Sequence, residues 1–532
     1  MILPSFSGRS VIRFRMRMPW QDSFGLRRRS SSDVGPTGTD LAIRVISSSF
    51  DRDGEDVVRI HGEAMPSSDK AAENDAAGET PASRAGLETD RRAPSVLVPP
   101  DRHPMLRAFA HRDYRLFFGG QLVSLIGTWM QSVAQSWLVY RLSGSAVLLG
   151  LVGFAGQIPV FLLAPAGGSL ADTHSRHRII LGTQAASMVL ALVLASLTLT
   201  GRVQLWQVFT LAALLGAVNA FDIPARQAFL VELVGRADLM NAIALNSSMF
   251  NGARIIGPAL AGVLVAALGE GWCFFLNGIS YVAVLAGLLL MSPRPVPARP
   301  GGGTPLGRIL EGLGFAARTA PIRELLLLLG LVSLAGMPYS VLMPIFADQV
   351  LHTGAWGLGV LMGASGLGAL LGALMLAARR DVRGLGRWVA WAAGGFGASL
   401  IAFAASRWFW LSTVLLVPAG FAMIVQTAAS NTLIQAMVPD ELRGRVMATY
   451  SMMFMGMAPF GALLAGLLAG RLGAPVAVAA GGVACIVGAI AFGSRLPALR
   501  VAGRELLVNQ EMAAGHPAGG PPHGAAAVAP GR

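Results

Sequence analysis

The sequence predicts an all-α membrane protein: twelve transmembrane helices in two pseudo-twofold-related six-helix bundles. Three observations carry that reading. The 532 residues are 53% hydrophobic and 13% charged, with a mean hydropathy of +0.57, far from the roughly 25% charged of ordinary soluble domains. The apolar residues gather into twelve stretches, each near the ~20 residues that a helix needs to cross a ~30 Å hydrocarbon core. Finally, residues of the first six stretches recur in the last six at a nearly constant offset.

Taken in order, residues 1–104 are expected to form a disordered cytoplasmic extension, because they are rich in Ser, Arg, Asp, Gly and Pro with no sustained period, as in SSSDVGPTGTD. The segment IRFRMRMPW lacks the apolar core of a secretory signal, and Met105 offers an alternative start. The predicted spans are 116–140, 145–171, 178–200, 203–224, 240–267, 271–291, 323–350, 356–378, 386–405, 409–431, 445–470 and 475–493. They make up an N-terminal bundle (105–291) and a C-terminal bundle (323–494). Between these the Pro/Gly/Arg-rich 292–322 (SPRPVPARPGGG) reads as a hinge-like cytoplasmic linker, and 495–532 as a disordered tail.

The net charge of +13 and pI near 11.1 raise the question of nucleic acid, which the distribution of charge answers. Residues 1–104 hold 15 Lys+Arg against 15 Asp+Glu, so the whole excess punctuates the apolar segments instead of forming a basic face. Alternate connections divide the arginines unequally: twenty-two on one side, only Arg141, Arg202, Arg407 and Arg471 on the other, and Arg254 inside a span. Positive loops stay in the cytoplasm, which predicts an even number of spans with both termini cytoplasmic. Cys273 and Cys485 lie in apolar segments without ligand spacing, so neither a disulfide framework nor a metal site is expected. His174 and His177 read as polar loop residues, with no third ligand spaced for metal.

LVSLIG at 122–127 returns as LVSLAG at 331–336, and the same shift of 209 carries Asp172 onto Asp381 and Arg178 onto Arg387. Phe250, Gly252, Gly257, Gly262 and Gly269 map onto Phe454, Gly456, Gly461, Gly466 and Gly473 at a shift of 204. Parallel halves of this kind are a transporter architecture, with the substrate site between them near the midplane.

The stretches HRDYRLFFGGQLVSLIGTWMQSVAQSWLVY, GGSLADTHSRHR, DIPARQAFLVELV and NAIALNSSMFNGARIIGPALAG together resemble major facilitator superfamily transporters, within the branch that includes the enterobactin exporter and macrolide efflux proteins. In GGSLADTHSRHR, Gly167 and Gly168 permit close helix approach. Asp172 can accept bonds from helix termini, and Arg176 and Arg178 can pair with it or with lipid headgroups. The resemblance implies that this turn latches the cytoplasmic gate. The small residues Ala253, Gly257 and Ala261, with Pro258 and Gly262, resemble the antiporter signature of the fifth helix, with alanines where glycine is usual; they form a packing and hinge surface and favour export over uptake.

Arg254 shares a helix face with Ser247 and Asn251, which predicts a cavity-facing cation that meets substrate or an acid such as Asp222; snorkelling to the interface is the competing reading. The first span carries Gln121, Ser124, Thr128, Gln131, Ser132 and Gln135 at three- and four-residue steps. This is a cavity lining or a set of interhelical bonds, with Trp129 and Trp137 available to an apolar substrate surface. Gln426, Thr427, Ser430 and Asn431 form a matching strip on the tenth span. For coupling, the candidates are Asp222 and Asp348.

The expected function is proton-driven export of a small amphipathic molecule, siderophore or drug-like, by alternating access. Uptake by the same fold is the alternative, and a non-transporting scaffold or sensor a remote one. No GxxxxGK[ST] occurs, Lys70 being the sole lysine, and neither HExxH nor GxSxG is present, which argues against an ATP-driven pump or a membrane-embedded enzyme. The expected partners are the bilayer, a small-molecule substrate and protons, with no cofactor, no metal and no nucleic acid, and the expected state is a monomer.

Overall fold

The computed structural model describes residues 104–291, 305–379 and 384–513. Nearly all of the expected extension, the proline-rich 292–304 and the repeat partner Asp381 lie outside the described residues. The helices are α1 (Arg112–Ser143), α2 (Ala146–Thr173), α3 (Arg176–Leu199), α4 (Leu205–Leu268), α5 (Glu270–Leu289), α6 (Pro305–Arg318), α7 (Ala320–Val350), α8 (Gly354–Ala377), α9 (Leu385–Ala405), α10 (Phe409–Met437), α11 (Asp440–Leu472) and α12 (Ala474–Ala513). No strand occurs among the described residues.

Ten of these helices are long and apolar enough to cross a membrane. The 64 residues of α4 would measure ~96 Å at 1.5 Å per residue, about three hydrocarbon thicknesses. They are two spans, joined at Gly235, whose φ of 69° breaks the helix where a side chain would be strained. α1 is not among the ten because its polar strip lowers its hydropathy; with 32 residues it spans as well. Twelve spans result, and the fold class is the predicted one.

Within the first half α1 packs on α4 and α5, α2 on α4, and α3 on α5. In the second half α8 packs on α10, and α9 and α7 on α12. The repeat seen in the sequence is a repeat of contacts. A Cβ on Gly257 would stand 2.5 Å from Trp129 Cβ and 2.8 Å from the Ile126 carbonyl of α1; Gly461, 204 residues later, is pressed likewise on Leu334 and Pro338 of α7. Gly216 abuts the Gly156 carbonyl, and its counterpart Gly420 abuts that of Ser365. The glycines that end the two related helices adopt the same backbone, with φ of 87° at Gly269 and 88° at Gly473, so each chain turns into its next span without a loop.

The two halves meet along α2 with α11 and along the second arm of α4 with α8. Gly262 lies against Gly359, a Cβ there standing 2.9 Å from its Cα, and Gly466 against Gly150 at the same 2.9 Å. These crossings, with the Phe154–Phe460 ring contact, lie toward the arginine-poor ends of the helices.

Two expectations are corrected, and one span proves irregular. The linker is not a plain hinge: 305–318 is an amphipathic helix whose Glu311 pairs with Arg445 of α11, while Gly312 seats on the Arg445 backbone. The chain is not irregular beyond Arg495, since α12 runs to Ala513. α7 is not a uniform helix; Pro338 and Pro344 interrupt its hydrogen-bond ladder and leave π and 3-10 turns between Val332 and Val350.

Candidate transport cavity

Asp222 lies inside the first arm of α4 and is almost fully buried. Its Oδ1 accepts from Thr183 Oγ1 (2.8 Å) and Gln184 Nε2 (2.9 Å) of α3, and its Oδ2 pairs with Arg226 one turn on (2.5 Å). Arg226 in turn donates to Gln121 Oε1 of α1 at 2.9 Å. One carboxylate thus ties three helices together, with every contact charge-assisted. The network is incomplete at its rim, where Gln121 Nε2 and Gln184 Oε1 are buried without a partner. Thr183 and Gln184 went unremarked in the sequence; two adjacent polar residues inside the apolar run RIILGTQAASM were the available signal.

The offset of 204 carries Asp222 onto Gln426 and Arg226 onto Ser430. The second half therefore holds a neutral pair where the first holds an ion pair. Gln426 and Ser430 are fully buried, and neither the Gln426 amide nor the Ser430 hydroxyl has a hydrogen-bond partner. They do not line an open cavity as the sequence suggested. Their neighbour Thr427 donates to Met423 O within α10, and Asn431 accepts from Gln435.

The polar strip of α1 is divided the same way. Gln121, Ser124 and Gln131 are buried; Gln131 accepts a 2.7 Å bond from Asn277 of α5, against which Gly127 also packs. Thr128 and Ser132 are exposed and Gln135 is half-buried. Interhelical bonding accounts for the buried part of the strip.

Arg254 sits midway along the second arm of α4. It does not reach Asp222, which is taken by Arg226. Its guanidinium lies over the Trp129 ring of α1, 5.7 Å from the centroid, and 3.9 Å from Met423 Sδ of α10. Groups of both halves therefore surround it, and it does not snorkel to an interface. No carboxylate pairs with it among the described residues. Trp129 is held edge-on by Phe250 at 5.6 Å, and Asn251 bonds back to Ser247 O in its own helix. Ala253 and Ala261 are fully buried and Pro258 is buried within helical backbone, so the small-residue face packs as expected without a break at the proline.

On the arginine-rich side, Gly167 is seated on the Ala220 carbonyl, whereas Gly168 faces open space. Asp172 and Arg178 are exposed. Arg176 does not pair with Asp172; it pairs with Glu232 at 2.5 Å and donates to the Ala171 carbonyl. On the opposite side Tyr140 of α1 donates to Asp348 of α7 at 2.7 Å, so Asp348 is an exposed end-of-helix group joining the halves.

A family model described as transmembrane secretion effector covers residues 105–513. The chain belongs to the major facilitator superfamily of membrane transporters. It is 26% identical over 364 residues to the staphyloferrin A transporter of Staphylococcus aureus, covering 68% of this chain and 90% of that one. It is 29% identical over 366 residues to the multidrug efflux pump Tap of Mycolicibacterium fortuitum (65% and 87%), and 25% over 377 residues to the enterobactin exporter EntS of Shigella boydii (69% and 88%). Among solved structures, the nucleoside transporter NupG superposes with a TM-score of 0.56 at 13% identity (74% and 99% covered). A bacterial homologue of ferroportin, in an inward-facing state, does so with 0.54 at 16% (72% and 98%). This multi-pass superfamily member is a transporter and not an enzyme.

Proposed function

We propose that this transporter exports a small amphipathic molecule across the cell membrane in exchange for protons, with Asp222 as the coupling group and both termini in the cytoplasm. The observation that carries the reading is the placement of Asp222. Among the described residues the other buried carboxylates, Glu270 and Glu324, lie near helix ends in pairs with Arg141 and with Arg323 and Arg495. Asp222 alone of the three lies well inside a span, held by Thr183 and Gln184 of α3 and by Arg226 of its own helix, which passes the contact on to Gln121 of α1.

Protonating it cancels the charge that holds Arg226, Thr183 and Gln184, and loosens α1, α3 and α4 from one another. A proton taken up from one side and released to the other would then accompany each exchange between the two arrangements of the halves. Thr128, Gln135 and Trp129 offer polar and aromatic contacts to a solute of mixed character. Two relatives are named as an exporter and an efflux pump, and the excess of arginine on the side of both termini supports the orientation.

The test is flux into everted membrane vesicles under an imposed proton gradient, using ethidium and ferric-free hydroxycarboxylate siderophores as probes. Wild type should accumulate a probe as long as the gradient lasts, and Asp222→Asn should lose the gradient dependence. Accumulation that survives in Asp222→Asn with the same gradient dependence removes the coupling assignment; flux in the opposite sense makes the protein an importer.

A further inference from the structure

The geometry points to Arg254 as the recognition point for a negatively charged group on the transported molecule, a carboxylate carried on an aromatic or apolar body that lies against Trp129. This rests on the transport reading above and narrows its substrate to acids.

The first ground is electrostatic. A guanidinium at mid-span is costly, and such charges persist where a partner offsets them. Arg254 has the Trp129 face and the Met423 sulfur, neither of which carries a charge, and a cation–π contact returns only part of that cost. The other interior arginine, Arg226, shows what a satisfied one looks like, with an aspartate and a glutamine amide oxygen on its two terminal nitrogens.

The second ground is the internal repeat. At the offset of 204 Arg254 corresponds to Ala458, in helices whose glycines superimpose in role. Packing of this arm against its neighbours is met in the second half without a cation, so the fold itself does not call for one. The third ground is position. Trp129 of α1 and Met423 of α10 lie against the guanidinium, one from each half. A ligand there touches both bodies whose relative motion is transport. Arg254 is half-buried. The planar fork fits a carboxylate through two parallel bonds, and Trp129, braced by Phe250, presents a flat apolar wall beside it.

Binding to the purified full-length protein in nanodiscs of zwitterionic lipid tests this, with benzoate, 1-naphthoate and 1-pyrenebutyrate each compared with its own carboxamide by titration calorimetry. At least one acid should bind about tenfold or more tightly than its amide, the worth of a charge-assisted hydrogen bond. Arg254→Gln should bring the two within about twofold while amide binding stays, and Arg254→Lys should restore part of the preference, which separates lost charge from lost folding. No acid outbinding its amide in wild type, or a preference that survives in Arg254→Gln, overturns the proposal. Adding phosphatidylglycerol distinguishes the source of the anion: competition that Arg254→Gln abolishes assigns the site to a lipid headgroup and overturns the solute. The vesicle flux is independent of this readout. Proton-linked flux without acid preference sinks the inference alone, and acid preference without proton-linked flux sinks the coupling alone.

Discussion

Tyr140 donates a 2.7 Å hydrogen bond to Asp348 across the boundary between the two halves. The bond lies at the arginine-poor ends of α1 and α7, where the Gly262–Gly359 and Gly150–Gly466 crossings also hold the halves together. Removing it should favour separation of these ends. Because Asp348 is exposed and regains water, the cost is about 1 kcal/mol, a shift of roughly fivefold in the equilibrium. Tyr140→Phe should therefore raise the alkylation rate of a cysteine placed at Gln135 by an impermeant maleimide about that much. The native Cys273 and Cys485 are buried and give a low background.

Gly257 and Gly262 are five residues apart on one helix and should respond differently to the same substitution. Gly257 packs inside its half on α1, so Gly257→Val forces α1 and α4 apart and should lower thermal stability by about 1–3 kcal/mol, the usual cost of overpacking. Gly262 packs between halves on Gly359. Gly262→Val should leave the melting temperature near wild type and instead increase labelling at Gln135, as should Gly466→Val. Equal loss of stability in all three would contradict the division.

The ion pair of the first half can be replaced by the neutral pair of the second. Asp222→Gln with Arg226→Ser removes both charges together, which in buried sites is often neutral for stability. The double variant should fold and keep ligand binding but lose dependence of flux on the proton gradient. Asp222→Asn alone leaves Arg226 facing an uncharged amide and should melt below the double variant in a differential scanning experiment.

Arg141 holds Glu270 through two bonds, at 2.7 and 3.2 Å, tying α1 to the start of α5. The arginine is about half exposed, 52%, and the glutamate is buried, 7%. The two truncations should therefore be unequal. Glu270→Gln frees an arginine that turns to water, whereas Arg141→Gln strands a buried carboxylate and should cost more, about 1–2 kcal/mol after allowance for screening at the exposed partner. Thermal shifts of the two variants check the order.

Much of the fold was legible because a bilayer restricts the chain to helices of one length, so apolar runs such as 145–171 and 386–405 gave spans within a few residues of α2 and α9. The constant offset between Gly257, Gly262 and Gly269 and their partners gave the two halves before any contact was known. Partners were not legible, because polar side chains on one helix choose among several neighbours and a strip of residues does not state its direction. Arg176 turned to Glu232, not to Asp172; Gln121 turned to Arg226; Gln426 and Ser430 are buried. The sequence by itself determined that Arg254 lies inside a span, since hydrophobicity is local. Only the tertiary packing decided that Asp222 is spent on Arg226, Thr183 and Gln184, which leaves Arg254 with Trp129 and Met423 between the halves, because ion pairing depends on angstrom separations that the order of residues along the chain does not fix.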